Sequence, residues 1–258
     1  MAALTDRHAL VTGGGTGIGA AIARALAGTG AAVSIAGRRA GPLQEVAAGL
    51  PRATAIVADI TREADTLAMV AAARAAFGPV DILIANAGTA ESAPFGKADL
   101  AHWQRMLDVN LTGAFLCAKA ALPDLVRKTG PGQGGGRIVF VASTAGLKAY
   151  PYVSAYCAAK HGLVGLARAL ALELAPTGVT VNAVCPGFTE TPLLEAALAN
   201  ITAKTGRPQE IAAAELKRLN PQGRFIRPEE VADAVLWLCS AGAQAITGQA
   251  IPVAGGEI

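Results

Sequence analysis

Tyr156 and Lys160 stand four residues apart in the stretch Ser154-Ala155-Tyr156-Cys157-Ala158-Ala159-Lys160, which turns helical, so both side chains fall on one helix face. An ammonium beside a phenol favours phenolate and draws its pKa toward the working pH, which makes a tyrosine a usable proton donor and acceptor. Ser143 ends a strand-like run and is placed to hydrogen-bond a substrate oxygen and hold it against that phenol. The same tyrosine–lysine spacing also describes a packed aromatic with a snorkelling lysine.

A second group of residues has chemistry of another kind. The strand Ala9 to Thr12 runs into Gly13-Gly14-Gly15-Thr16-Gly17-Ile18-Gly19, and the helix Ala20 to Ala27 follows. Glycines there permit a tight turn and the close approach of a pyrophosphate, which a helix N-terminus attracts through free N–H groups and its dipole. Gly13, Gly15, Thr16, Gly17, Ile18 and Gly19 are therefore expected to touch a dinucleotide.

An NAD-selective site carries an acid at the end of the second strand, bonded to the ribose 2′-hydroxyl. Here the sequence reads Ser34-Ile35-Ala36-Gly37-Arg38-Arg39, and two guanidinium forks suit a 2′-phosphate. NADP(H) is thus favoured and NAD(H) is the alternative, with two solvated turn arginines as the competing account. Asp59-Ile60 and Asn86-Ala87-Gly88 end the third and fourth strands, where adenine and ribose are expected, although an Asp in a turn and an Asn tying strands together fit the same places.

The elements that must position these residues alternate in a βα rhythm, which implies a parallel sheet covered on both faces. About seven strands are expected: Ala9 to Thr12, Ala32 to Ala36, Ala55 to Ala58, Ile82 to Ala85, Arg137 to Ala142, Val179 to Val184 and Ala250 to Val253. The fold class is α/β, a doubly wound Rossmann-type sheet in one domain over residues 1–258. The glycine-rich stretch between Lys128 and Arg137 reads as a mobile loop before the fifth strand, not a linker. Residues 188–228 form a long insertion before the helix Glu229 to Ser240; a lid and plain helix packing both account for it.

Composition narrows the function further. Of 258 residues 52% are hydrophobic and 16% charged, enough apolar surface to bury both faces of a sheet. A net charge of +3, spread without runs, favours neither nucleic acid nor an anionic membrane. No signal peptide or membrane span is expected, and four scattered cysteines and three histidines without ligand spacing suggest free thiols in the cytoplasm and no metal.

Taken together, the motifs resemble the short-chain dehydrogenase/reductase superfamily over essentially the whole chain. The pattern TGxxxGxG is met by Thr12, Gly13, Gly17 and Gly19, the NAG element by Asn86, Ala87 and Gly88, and YxxxK by Tyr156 and Lys160. Ser143, Asn110 in Asp108-Val109-Asn110-Leu111-Thr112-Gly113, and Pro186-Gly187 match as well, while Ala85 departs from the second asparagine many relatives carry. The resemblance implies hydride transfer between nicotinamide and a substrate carbon. Tyr156 would be the acid/base, Lys160 would lower its pKa and bind the nicotinamide ribose, Ser143 would orient the carbonyl, and Asn110 would hold a water in the proton relay. Thr189 and Thr191 fall where relatives contact the cofactor.

The wording from Tyr156 to Pro192 is similar to 3-oxoacyl reductases and polyketide ketoreductases, and the later Gly223-Arg224-Phe225-Ile226-Arg227-Pro228 to 3-hydroxybutyrate and 3-hydroxyacyl dehydrogenases. That resemblance implies a small carbonyl or alcohol substrate, with a 3-oxoacyl or 3-hydroxyacyl thioester in view, and an NAD-dependent dehydrogenase of a secondary alcohol or sugar as the alternative. Lys148, Arg207, Lys217, Arg218, Arg224 and Arg227 fit either a carrier phosphate or a solvated surface. It also implies a homotetramer, with Leu111 to Val126, Ala155 to Leu174 and Ile246 to Val253 as interface candidates. A non-catalytic dinucleotide sensor is the distant alternative.

Overall fold

The computed structural model describes residues 4–127 and 135–258. Most of the glycine-rich stretch before the fifth strand, expected as a mobile loop, lies outside the described residues. Seven parallel strands form one sheet: β1 (His8–Thr12), β2 (Ala32–Gly37), β3 (Ala53–Val57), β4 (Ile82–Ala85), β5 (Arg137–Val141), β6 (Thr180–Pro186) and β7 (Ala250–Val253). Their order is β3-β2-β1-β4-β5-β6-β7. The direction of winding reverses between β1 and β4, where a doubly wound sheet opens a crevice at its carboxyl edge.

Strand residues alternate between two helix layers. From β1, Leu10 joins one core with α3 (Glu63–Phe77), α5 (Gly113–Leu125) and α6 (Ser154–Leu174), while Ala9 and Val11 join another with α1 (Gly17–Gly28), α2 (Ala40–Ala48) and α9 (Pro228–Cys239). Alternation of this kind is what a pleated strand imposes, and apolar side chains in both directions are why β1, β4 and β5 are buried throughout.

The departures from expectation have local causes. β3 runs over residues 53–57, not 55–58, and is half-exposed because it is the edge strand, so burial did not mark its ends. α1 starts at Gly17, inside the glycine cluster, because the cluster itself supplies the helix's first turn. α9 opens on Pro228, whose fixed φ and missing N–H suit a first helical position.

The insertion holds α7 (Pro192–Thr205) and α8 (Gln209–Lys217). The first of them ends at Thr205, with Gly206 after it in the left-handed region. The two helices close a small core of Leu194, Leu198, Ala212 and Phe225. The stem is pinned where it leaves and returns: Glu190 N–H donates to Ile226 O at 2.9 Å and Ile226 N–H to Phe188 O at 2.9 Å. α4 (Leu100–Leu107), before α5, is capped by Asp99, whose side chain accepts from His102 N–H.

Candidate active site

The carboxyl ends of β1 and β4 are tied by side chains. Thr12 Oγ1 accepts the N–H groups of Asn86 and Ala87, each at 3.1 Å, and Asn86 Nδ2 donates to Thr12 O at 2.9 Å and Gly13 O at 3.3 Å. The Asn86 amide thus holds the glycine turn in place instead of reaching outward. At Gly19 a Cβ would lie 2.2 Å from Gly13 O and 2.5 Å from Asn86 Nδ2, so only glycine lets α1 start this close to the turn. Thr16 makes no side-chain cap and the first turn of α1 carries no acid. Its leading N–H groups, which have no intrahelical acceptor, suit an anion.

Arg38 and Arg39 are exposed at the end of β2. Asp59 faces Arg38 electrostatically. Hydrogen bonds from Thr61 N–H (3.0 Å) and Thr61 Oγ1 (2.8 Å) come first in holding its carboxyl below the usual range, and Arg38 adds to them. The Ile60 side chain is buried in the core against Gly113.

Gly187 follows β6, and Thr189 and Thr191 carry the chain back to the glycine turn. Thr189 Oγ1 donates to Gly187 O at 2.9 Å, and Thr191 Oγ1 donates to Thr189 O at 3.1 Å while accepting Leu194 N–H at 3.3 Å as the cap of α7. The Thr191 methyl lies 3.0 Å from where a Cβ on Gly17 would sit. The Pro186-to-Thr191 segment and the Gly13-to-Gly19 segment, far apart in sequence, therefore meet at the start of α1.

Beside this junction sit Ser143, Tyr156, Lys160 and Asn110. Ser143 follows β5 and its Oγ accepts Ala145 N–H at 3.1 Å. Tyr156 and Lys160 lie one turn apart on α6. Lys160 is buried, its Nζ donating to Val141 O at 2.9 Å and standing 5.6 Å from the Tyr156 ring centroid. Asn110 is buried in a π-helical turn over Asp108–Thr112 that joins α4 to α5. Its Nδ2 donates to Thr89 O and Met106 O, both at 2.9 Å, and its Oδ1 accepts Thr89 N–H at 3.2 Å. A Cβ on Gly88 would meet Asn110 Oδ1 at 2.9 Å and Lys160 Nζ at 3.6 Å, which brings the fourth strand's end, the π turn and α6 to one point.

Electrostatics here differ from what the spacing of Tyr156 and Lys160 suggested. Burial pushes the Tyr156 phenol up to about 12, a hydrogen bond with Ser143 opposing it. Burial also pushes Lys160 down from its ordinary 10.5 to about 8. Lys160 is not among the groups pulling the phenol down, because its Nζ is turned to the Val141 carbonyl and its own charge is disfavoured. One consequence concerns stability. Below pH 8 the buried ammonium carries its full desolvation penalty; between 8 and 10.5 the folded chain releases a proton that the unfolded chain keeps, so stability rises with pH. Lys160→Met is expected to stabilise the fold by roughly 1–3 kcal/mol at pH 7 while abolishing activity. Urea denaturation at pH 7 and pH 10 checks this: a gain that fails to shrink at pH 10 contradicts it.

The π turn had no periodic signature. Its trace in the sequence is Asp108, Val109, Asn110, Thr112 and Gly113, all poor helix formers, in the midst of a helical stretch.

The family model described as short chain dehydrogenase matches residues 7–202. The cis-4-hydroxycyclohexanecarboxylate dehydrogenase of Sinomonas cyclohexanicum is 40% identical over 259 residues, covering 98% of this chain and 97% of that one. A variant of the actinorhodin polyketide ketoreductase, solved with NADPH, aligns with a TM-score of 0.91 at 37% identity and covers 100% of this chain and 99% of that one. The 3-ketoacyl-(acyl-carrier-protein) reductase of Brucella melitensis, complexed with NADH, aligns with a TM-score of 0.88 at 34% identity over 97% of this chain and 98% of that one.

Proposed function

Because the chain belongs to the short-chain dehydrogenase family, we propose that it interconverts a carbonyl and its secondary alcohol with a nicotinamide dinucleotide, preferring NADP(H). The observation that carries this reading is the meeting of Ser143, Tyr156 and Lys160 beside an uncapped helix start that suits a pyrophosphate. The bound nicotinamide would supply or accept the hydride. Gly13, Gly15, Thr16, Gly17, Ile18 and Gly19 would hold the pyrophosphate, and Asp59, the Ile60 backbone, Ala87 and Gly88 would flank adenine and ribose. Pro186, Gly187, Thr189 and Thr191 would close the nicotinamide end.

Tyr156 gives its proton to the carbonyl oxygen in reduction, and Ser143 holds that oxygen next to the phenol. Lys160 binds the nicotinamide ribose and takes part in the proton path. Both amide hydrogens of Asn110 are committed, so a water it holds must donate to its oxygen atoms rather than accept from it.

Preference for NADP(H) rests on Arg38, exposed at the end of β2, where that strand runs into Gly37-Arg38-Arg39 without an acid of its own and the facing carboxylate, Asp59, comes from the end of the neighbouring strand. Arg38→Ala is expected to weaken NADPH roughly 10–100-fold and NADH by less than about threefold. Cofactor titrations followed by fluorescence measure both, and equal losses overturn the preference. NAD(H) with a secondary alcohol is the second reading, favoured by the Sinomonas relative named for a hydroxy acid and by the Brucella reductase complexed with NADH.

The substrate we favour is a small 3-oxoacyl or 3-hydroxyacyl compound, as a thioester, in line with the two ketoacyl-type structural relatives. Recognition falls to the residues around Ser143 and Tyr156 more than to surface charge, because Lys148, Arg207 and Arg224 are already paired with Glu257, Glu215 and Glu230. Residues 188–228 would act as a lid, with Asn200 of α7 reaching Ser92 Oγ at 3.0 Å across the mouth. We place the protein in the cytoplasm as a homotetramer. Buried free thiols support the first; exposed Leu100, Trp103, Phe115, Leu172 and Trp237 support the second. No helix of the described residues is long and apolar enough to cross a membrane.

A further inference from the structure

Glu257, one residue from the end of the sequence, has a side chain only 1% exposed. Gly255 and Gly256 bring it there, at φ 62° and 93°, turning the chain back after β7. Two polar groups converge on its carboxylate, and Gly187 lies against it. Lys148 Nζ stands 3.0 Å from Oε1, and the Tyr150 hydroxyl hydrogen-bonds the same oxygen. Oε2 lies 3.1 Å from where a Cβ on Gly187 would sit. Tyr150 also contacts Thr144 Oγ1 at 2.7 Å, and its ring meets Phe188 edge-on with centroids 6.1 Å apart. Burial first and Glu257 second push the Tyr150 phenol well above its ordinary value, so this tyrosine stays a neutral donor and not a second acid/base.

We infer that Glu257 is a positioning residue for the carbonyl-binding side of the active site. Its carboxylate gathers the segment that follows Ser143 and the turn that follows β6 into one wall, with the Tyr150 and Phe188 rings as its surface. A buried carboxylate left without partners is costly, so this one persists because Lys148 and Tyr150 satisfy it, and removing it releases both from the Gly187 turn. The inference rests on the oxidoreductase reading for its kinetic consequence but not for its structural one.

The test uses the full-length protein with Glu257→Ala and Glu257→Gln, assayed with NADPH and acetoacetyl-CoA, beside hydrogen exchange of residues 144–150. Glu257→Ala is expected to raise the KM for acetoacetyl-CoA about tenfold with kcat within about threefold, to weaken NADPH by less than about threefold, and to speed exchange in 144–150. Glu257→Gln retains an acceptor for Tyr150 and recovers most of the KM. Unchanged KM and exchange in Glu257→Ala overturn the inference, as does an equal loss across kcat, KM, NADPH affinity and melting temperature. Should the unmodified protein fail to reduce acetoacetyl-CoA, the substrate reading falls, and the exchange measurement alone decides for or against the positioning role.

Discussion

Tyr156→Phe is expected to bind NADPH almost as tightly as the unmodified protein and to turn over roughly 10²–10⁴ times more slowly, the range that positioned acid–base catalysis supplies. The substitution removes one oxygen and leaves the ring on α6, with Lys160 Nζ 5.6 Å from its centroid. Ser143 loses its hydrogen-bonded partner, at a stability cost of about 1 kcal/mol. Because burial holds the phenol up at about 12, the protonated form that reduction needs dominates at neutral pH, whereas oxidation of the alcohol needs the phenolate and accelerates as pH rises. Single-turnover rates with NADPH separate chemistry from release. A rate within tenfold of the unmodified protein would remove Tyr156 from the mechanism.

Gly19→Ala is expected to damage cofactor binding more than any other single methyl group. The added carbon would stand 2.2 Å from Gly13 O and 2.5 Å from Asn86 Nδ2. Both neighbours are held: Asn86 Nδ2 bonds Thr12 O and Gly13 O, so the strain passes to the whole β1–β4 junction. Overpacking of this kind costs about 1–3 kcal/mol, and displacing the leading N–H groups of α1 is expected to weaken NADPH roughly a hundredfold. Gly28→Ala, at the far end of the same helix with nothing within 4 Å of the new carbon, is the control and should stabilise by about 0.5–1 kcal/mol. Equal melting temperatures and NADPH affinities for the two variants would contradict this account of the turn.

What could be read from the residues was what periodicity and strand ends encode. All seven strands were found because most are apolar on both faces, and the glycine turn, Ser143 and Tyr156 fall on the carboxyl edge that such a sheet creates. β3 was misplaced by its ends because an edge strand lacks the burial that marks a boundary. Spacing put Tyr156 and Lys160 on one face, but it carried no information about the Val141 carbonyl that accepts the lysine's hydrogen bond, nor about how far burial would move either group. The pairing of Asn110 with Thr89 depends on a π turn that no simple repeat announces. Glu257 was invisible for a different reason: its partners lie 107 and 109 residues away, and only the closed sheet brings them together.

Hydride transfer to a carbonyl carbon is to be followed with NADPH deuterated at its transferable position, with acetoacetyl-CoA, a β-ketoester and an aryl ketone as acceptors and mass spectrometry of the product. The expected product is an alcohol carrying one deuterium on the carbinol carbon, formed faster with NADPH than with NADH and roughly 10²–10⁴ times more slowly by Tyr156→Phe. An alcohol free of deuterium, or no consumption of either cofactor with any of the three carbonyls, would contradict hydride transfer.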